Sequence, residues 1–224
     1  MNLDWSFYRW SQLEPFLLDG FLFSLQITAV AGACGLALGI LLAAIRRSGG
    51  TLLSGAVSAY VTGMRAIPLL MVIMWFFLLV PYLLGRPLGP RVSAFITFTL
   101  FESAYFAEII RAGIASVGSG QVDAARALGL TQRQAFVLIV LPQALRNMAP
   151  MLLTQVIVLF QDSSLVYVIG ATDLLKGFET AGRTLGRPVE AFLGAAAAYF
   201  ILCFTLSRVV AVLRRDGAAT SLRT

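Results

Sequence analysis

The chain has 224 residues, of which 58 % are apolar and only 12 % charged, against roughly 25 % charged in ordinary soluble domains. So few charges cannot cover a soluble 24.1 kDa protein, whereas repeated apolar runs of about 20 residues suit a bilayer, so the chain reads as an all-α integral membrane protein. Its formal charge of +6 comes without a basic, aromatic-interleaved polar patch, which sets nucleic-acid binding aside in favour of positive residues gathered at the inner ends of spans.

In chain order, residues 1–20 carry Trp5, Tyr8 and Trp10 in a polar setting. They have no apolar run ending in a cleavage site, so they read as an amphipathic interfacial segment rather than a signal peptide. A first span over 21–45 ends at Arg46 and Arg47, and its Gly35-x-x-x-Gly39 pair permits close helix packing. The second apolar stretch, 52–84, contains Arg65 and Pro68 and reads as one long tilted helix bent at the proline. Trp75, Phe76, Phe77 and Tyr82 fit an interfacial aromatic belt in its second half.

After the Gly- and Pro-rich breaker at 85–90, a third span covers 92–117. Residues 118–142 are the most polar internal stretch, with helical patches interrupted by Gly129. A fourth span over 149–169 contains Asp162, residues 170–188 read as a loop, and a last span over 189–213 is closed by Arg214 and Arg215. The division is therefore an N-terminal segment 1–20, a transmembrane domain 21–213 with a cytoplasmic loop 118–142, and a cytoplasmic tail 214–224. Five spans put the termini on opposite sides. With the N-terminus outside, ten of the 17 Lys+Arg residues fall at inner ends, Arg223 in the tail among them, and six outside, so the orientation is N-out and C-in.

Four ionisable residues lie in or near spans: Arg65, Glu102, Glu108 and Asp162. An Arg or Asp at mid-membrane costs about 2.5–3.5 kcal/mol, so these groups should face one another or a watery cavity. Two readings stand for Arg65, a partner for a substrate carboxylate or a structural pair with Glu102 or Asp162. Two also stand for Glu102, a substrate ammonium or Arg65. Glu108 and Arg111, three residues apart, read as a local ion pair. Around Asp162, the Gln161-Asp162-Ser163-Ser164 segment offers either a helix cap or a polar cavity lining. The chain has no histidine and no phosphate-binding G-x-x-x-x-G-K-[ST] loop. Cys34 and Cys203 lie in apolar runs and read as core packing. No catalytic pair, metal set or resident cofactor is indicated.

The polar loop reads Gly120-Gln-Val-Asp-Ala-Ala-Arg-Ala-Leu-Gly129, then Ile139-Val-Leu-Pro142. This resembles the EAA signature of permease subunits of ATP-binding cassette (ABC) importers, with Asp123 in place of the usual Glu and Ala124, Ala125, Gly129, Leu141 and Pro142 at matching spacing. Arg65-Ala-Ile-Pro-Leu-Leu70, Ser103–Ile114 and Gln161-Asp-Ser-Ser-Leu165 resemble segments of the polar-amino-acid permeases, most of all the glutamate/aspartate subunits. The resemblance implies the MetI-like type I importer fold, with the 120–142 knob docked on an ATPase subunit through Asp123, Ala124, Ala125, Arg126, Gly129, Arg133, Leu141 and Pro142. Apart from the resemblance, the polar groups within the spans place the expected substrate pathway at Arg65, Glu102, Gln161, Asp162, Ser163 and Ser164. The partners the resemblance implies are two ATPase subunits that use ATP and Mg, a second permease subunit, identical or homologous, and an extracytoplasmic binding protein. Acidic amino acids are the expected substrate, with glutamine or a basic amino acid as the alternative and a non-transporting scaffold or channel as the remote one.

Overall fold

The computed structural model describes residues 3–221, with side chains for 3–211, and contains helices and no strand among them. Arg214, Arg215, Arg223 and the expected tail lie outside the described side chains. The long helices are α1 (Trp10–Ser48), α4 (Pro90–Ala115), α7 (Leu141–Asp162) and α9 (Pro188–Ser221). With the bent pair α2 (Thr51–Ala66) and α3 (Leu69–Leu84) counted as one crossing, up to five spans result.

Helix α1 starts at Trp10 and runs unbroken into the first span, so the interfacial segment expected up to residue 20 is mostly part of that helix. At 1.5 Å per residue a helix of 39 residues is about 58 Å long, well over the roughly 30 Å hydrocarbon core. Its N-terminal turns are held by packing: Leu13 and Leu17 are buried with Phe7, Phe178 and Ala195. Cys203 is buried as expected, whereas Cys34 lies on the exposed face of α1.

The Gly35-x-x-x-Gly39 pair forms the seam with α4. A Cβ on Gly39 would sit 2.7 Å from Phe106 Cβ and 3.0 Å from the Ala107 nitrogen; one on Gly35 would sit 3.1 Å from Glu102 Cβ. Phe23 and Ile27 of α1, Val72 and Ile73 of α3, Phe98 of α4 and Leu159 of α7 make the central core.

Three expectations need correction. The second apolar stretch is two helices broken by 109°, rather than one bent helix. Ile67 is extended (φ −109°, ψ 136°), as a residue before proline prefers, and Pro68 becomes the first flank of α3. The fourth long helix begins well before residue 149: α6 (Gln132–Ala135) passes through a π-helical turn at Phe136–Val140 into α7. The widened turn accommodates Pro142, whose ring clashes with the carbonyl four residues back in an ordinary α-helix. Gln143 Nε2 also donates to the Ile139 carbonyl at 2.9 Å.

Residues 170–188 contain a helix, α8 (Leu174–Thr184), rather than a loop. Asp173 caps it, its carboxylate accepting from the backbone N–H groups of Leu175 at 2.9 Å and Lys176 at 3.0 Å. Burial pushes the Asp173 carboxyl above its ordinary range, opposed by these two bonds and by the Tyr199 hydroxyl, which donates at 3.2 Å. The helix buries Leu174, Phe178 and Ala181, while Lys176 and Arg183 pair with Glu179.

Candidate substrate cavity and coupling loop

The break at Ile67–Pro68 opens the site. Backbone groups at a helix break lose their intrahelical partners, and at membrane depth they are tolerated only against protein or a watery cavity. Such a cavity of about 340 Å³ lies there, lined by the Arg65–Leu69 segment, by Phe101 and Tyr105 of α4, and by Gln155, Val158 and Asp162 of α7.

Its polar groups divide by charge. Arg65, in the last turn of α2, lies with its guanidinium carbon 5.6 Å from the Tyr105 ring centroid, within cation–π range. Asp162 stands at the end of α7. Glu102 is fully buried behind the wall, where its Oε2 accepts from Gln155 Nε2 at 3.0 Å and its Oε1 has no hydrogen-bond partner among the described residues. The Tyr60 hydroxyl fixes α2 against α4, lying 2.7 Å from the Leu100 carbonyl and 3.0 Å from Ser103 Oγ.

Of the six expected pathway residues, Arg65 and Asp162 line this cavity and Glu102 reaches it through Gln155. Gln161 points the other way, into a second cavity with Thr154 and Ser207. Ser163 is buried and donates to the Phe160 carbonyl at 2.8 Å, and half-buried Ser164 is not part of the lining. Asp162 makes no side-chain cap for the 3-10 turn that follows it. Arg65 forms an ion pair with neither Glu102 nor Asp162; the carboxylate it meets is Glu108, at 3.9 Å. The Glu108–Arg111 pair forms as expected, at 2.5 Å.

Sequence reasoning missed Tyr105 and Gln155. Helical spacing could have found both: Tyr105 follows Phe101 by four residues, and Gln155 precedes Asp162 by seven, each on one helix face.

The polar loop folds as two short helices around a glycine. Helix α5 (Ser119–Ala127) ends in a Schellman closure, with Gly129 N–H donating to the Arg126 carbonyl at 3.0 Å and Leu130 N–H to the Ala125 carbonyl at 3.1 Å. Gly129 has φ +84°, a conformation that favours glycine. Thr131 opens α6 with a capping box to Gln134. Asp123, Ala124, Arg126, Arg133 and Pro142 are exposed, and Leu128 at the tip is 83 % exposed. Ala125 is buried within the knob, so it serves the knob's own packing rather than its surface, and Leu141 is half-buried beside α1.

A broken helix lining a cavity, in an all-helical bundle with a projecting two-helix knob, defines a membrane transport subunit of the MetI-like permease fold. Residues 35–216 match the family of binding-protein-dependent transport system inner membrane components, and the chain belongs to that family. It is thus an inner-membrane transport component rather than an enzyme. The glutamate/aspartate import permease protein GltK of Escherichia coli O6:H1 is 44 % identical over 221 residues, covering 94 % of this chain and 99 % of that one. The probable glutamine ABC transporter permease protein GlnP of Bacillus subtilis is 35 % identical over 197 residues, covering 86 % and 89 %. Among solved structures, an amino acid ABC transporter crystallised with histidines superposes with a TM-score of 0.90 at 30 % identity, covering 96 % of this chain and 100 % of that chain.

Proposed function

We propose that this chain is the permease subunit of an ATP-driven importer that moves glutamate or aspartate inward by alternating access. The observation that carries the reading is the charge division of the cavity, with Arg65 on the α2 wall, Asp162 on the α7 wall and Glu102 behind Gln155. A zwitterionic amino acid presents a carboxylate to the arginine and an ammonium to the acidic side. The 44 % identity to a glutamate/aspartate permease supports an acidic side chain, and the 35 % identity to a probable glutamine permease makes glutamine the competitor to exclude.

In this reading the N-terminus lies outside and the C-terminus inside. An extracytoplasmic binding protein delivers the amino acid to this subunit and a second permease subunit, identical or homologous. Two ATPase subunits use ATP and Mg and dock on the knob through Asp123, Ala124, Arg126, Leu128 and Arg133. Closure of the ATPase pair drives transport because the two permease states bind it differently. The test is uptake of labelled glutamate in cells with and without the gene, with glutamine and arginine in parallel. Selective loss of glutamate uptake, restored by the gene, is the expected result. Loss of glutamine or arginine uptake instead refutes the substrate, and unchanged uptake in cells lacking every paralogous system refutes the transport role.

A further inference from the structure

Three arginines converge on one carboxylate just beyond the cavity. Glu108 Oε2 accepts from Arg46 Nη1 at 3.1 Å and from Arg111 Nε at 3.0 Å. Glu108 Oε1 accepts from Arg111 Nη2 at 2.5 Å and Nε at 3.1 Å. Arg65 Nη1 lies 3.9 Å from that same Oε1, within ion-pair range but beyond a hydrogen bond. The cluster therefore joins α1, α2 and α4, and its members are held unequally: Arg111 grips both oxygens, Arg46 one, and Arg65 none.

We propose that Arg111 and Arg46 are positioning residues that occupy the Glu108 carboxylate and so leave the Arg65 guanidinium free for a substrate carboxylate. The inference rests on the cavity reading above. Its physical basis is competition for hydrogen bonds. A carboxylate that accepts a forked guanidinium on both oxygens has little left to offer a further donor, and Arg111 has the planar fork this requires. Remove Arg111, and Oε1 is released on the side that faces Arg65. A shift of about 1 Å then makes a direct Arg65–Glu108 bond of ordinary charge-assisted length. That bond competes with the ligand for the same donor. Tyr105 and Asp162 also line the cavity beside Arg65, but neither forms an ion pair or hydrogen bond with it that would substitute for Glu108.

The test is equilibrium binding of labelled glutamate to the assembled permease–ATPase complex in nanodiscs, without binding protein. Arg111→Gln is expected to weaken binding about tenfold, the worth of one charge-assisted hydrogen bond. Glu108→Gln is expected to leave binding at wild-type affinity or slightly tighter, because the carboxylate is already occupied and only its residual attraction to Arg65 across 3.9 Å is removed. The double variant is expected to return to wild-type affinity or better. A purely structural role for the cluster predicts weakening in Glu108→Gln, and that result, or a double variant as weak as Arg111→Gln, overturns the proposal. Where Arg111→Gln fails to assemble, Arg111→Lys keeps the charge and loses the fork; its smaller weakening must also be reversed by Glu108→Gln. Arg65→Gln separates the two layers. Wild-type affinity in that variant, or no saturable binding by the wild type, overturns the cavity reading itself.

Discussion

The seam between α1 and α4 leaves no room for a side chain at Gly39. In Gly39→Ala the new Cβ meets Phe106 Cβ at 2.7 Å, the Ala107 nitrogen at 3.0 Å and the Ser103 carbonyl at 3.1 Å. Carbon atoms pack at about 3.5–4.0 Å, and none of these three atoms ends a flexible side chain, so the two helices must separate by about 1 Å. Overpacking of this kind costs about 1–3 kcal/mol, while alanine regains about 1 kcal/mol of helix propensity over glycine. The net loss is therefore up to about 2 kcal/mol. Gly55→Ala is the control, since nothing lies within 4 Å of its Cβ position in α2; there only the propensity gain of about 1 kcal/mol remains. Thermal unfolding of the purified complex, followed by the loss of the monodisperse peak in gel filtration, should show Gly39→Ala below wild type and Gly55→Ala at or above it. A Gly39→Ala protein as stable as Gly55→Ala refutes the close-packing argument.

Two further predictions concern the ends of the molecule. Gly129→Val strains a backbone at φ +84° without a steric clash, so it should distort the knob alone, leaving thermal stability intact while ATP hydrolysis continues without uptake; normal uptake would count against the docking role. At the other end, Asp4 accepts from Ser6 Oγ at 2.6 Å and Ser6 N–H at 2.9 Å, and pairs with Arg187 at 3.1 Å. These bonds, the Ser6 hydroxyl first, hold its carboxyl below the ordinary 3.8. The anchoring of the N-terminal turn is then complete above pH 3.8 and is lost as pH falls through the lower folded value. Hydrogen exchange of residues 3–9 should rise only in that acid interval, and release already near neutral pH would contradict the assignment.

Much of the function was legible because it sits in short, local patterns. The knob is a helix, a left-handed glycine and a capped second helix, all specified within 119–135, so the sequence resemblance and the structure coincide there. The Glu108–Arg111 pair and the Gly35–Gly39 face are likewise set by helical spacing. The errors have different origins. Helix α8 is short, charged and contains two glycines, which hid a legible signal: an Asp173 cap followed by apolar Leu174, Phe178 and Ala181 on one helical face, buried against α1 and α9. A proline at 68 announces a bend, but nothing local distinguishes a kink from a 109° break.

Composition, apolar run length and the spacing of small and charged residues thus determined the class of protein and the helix–glycine–helix form of the 119–135 knob, because each depends on periodicities within a single helix. The tertiary structure decided which charges meet. Arg65 faces Glu108 rather than Glu102 or Asp162, and Gln161 turns away from the cavity that Gln155 enters. The physical reason is that a side chain's partner is fixed by how helices rotate and cross against one another, and those angles arise from packing across the whole bundle.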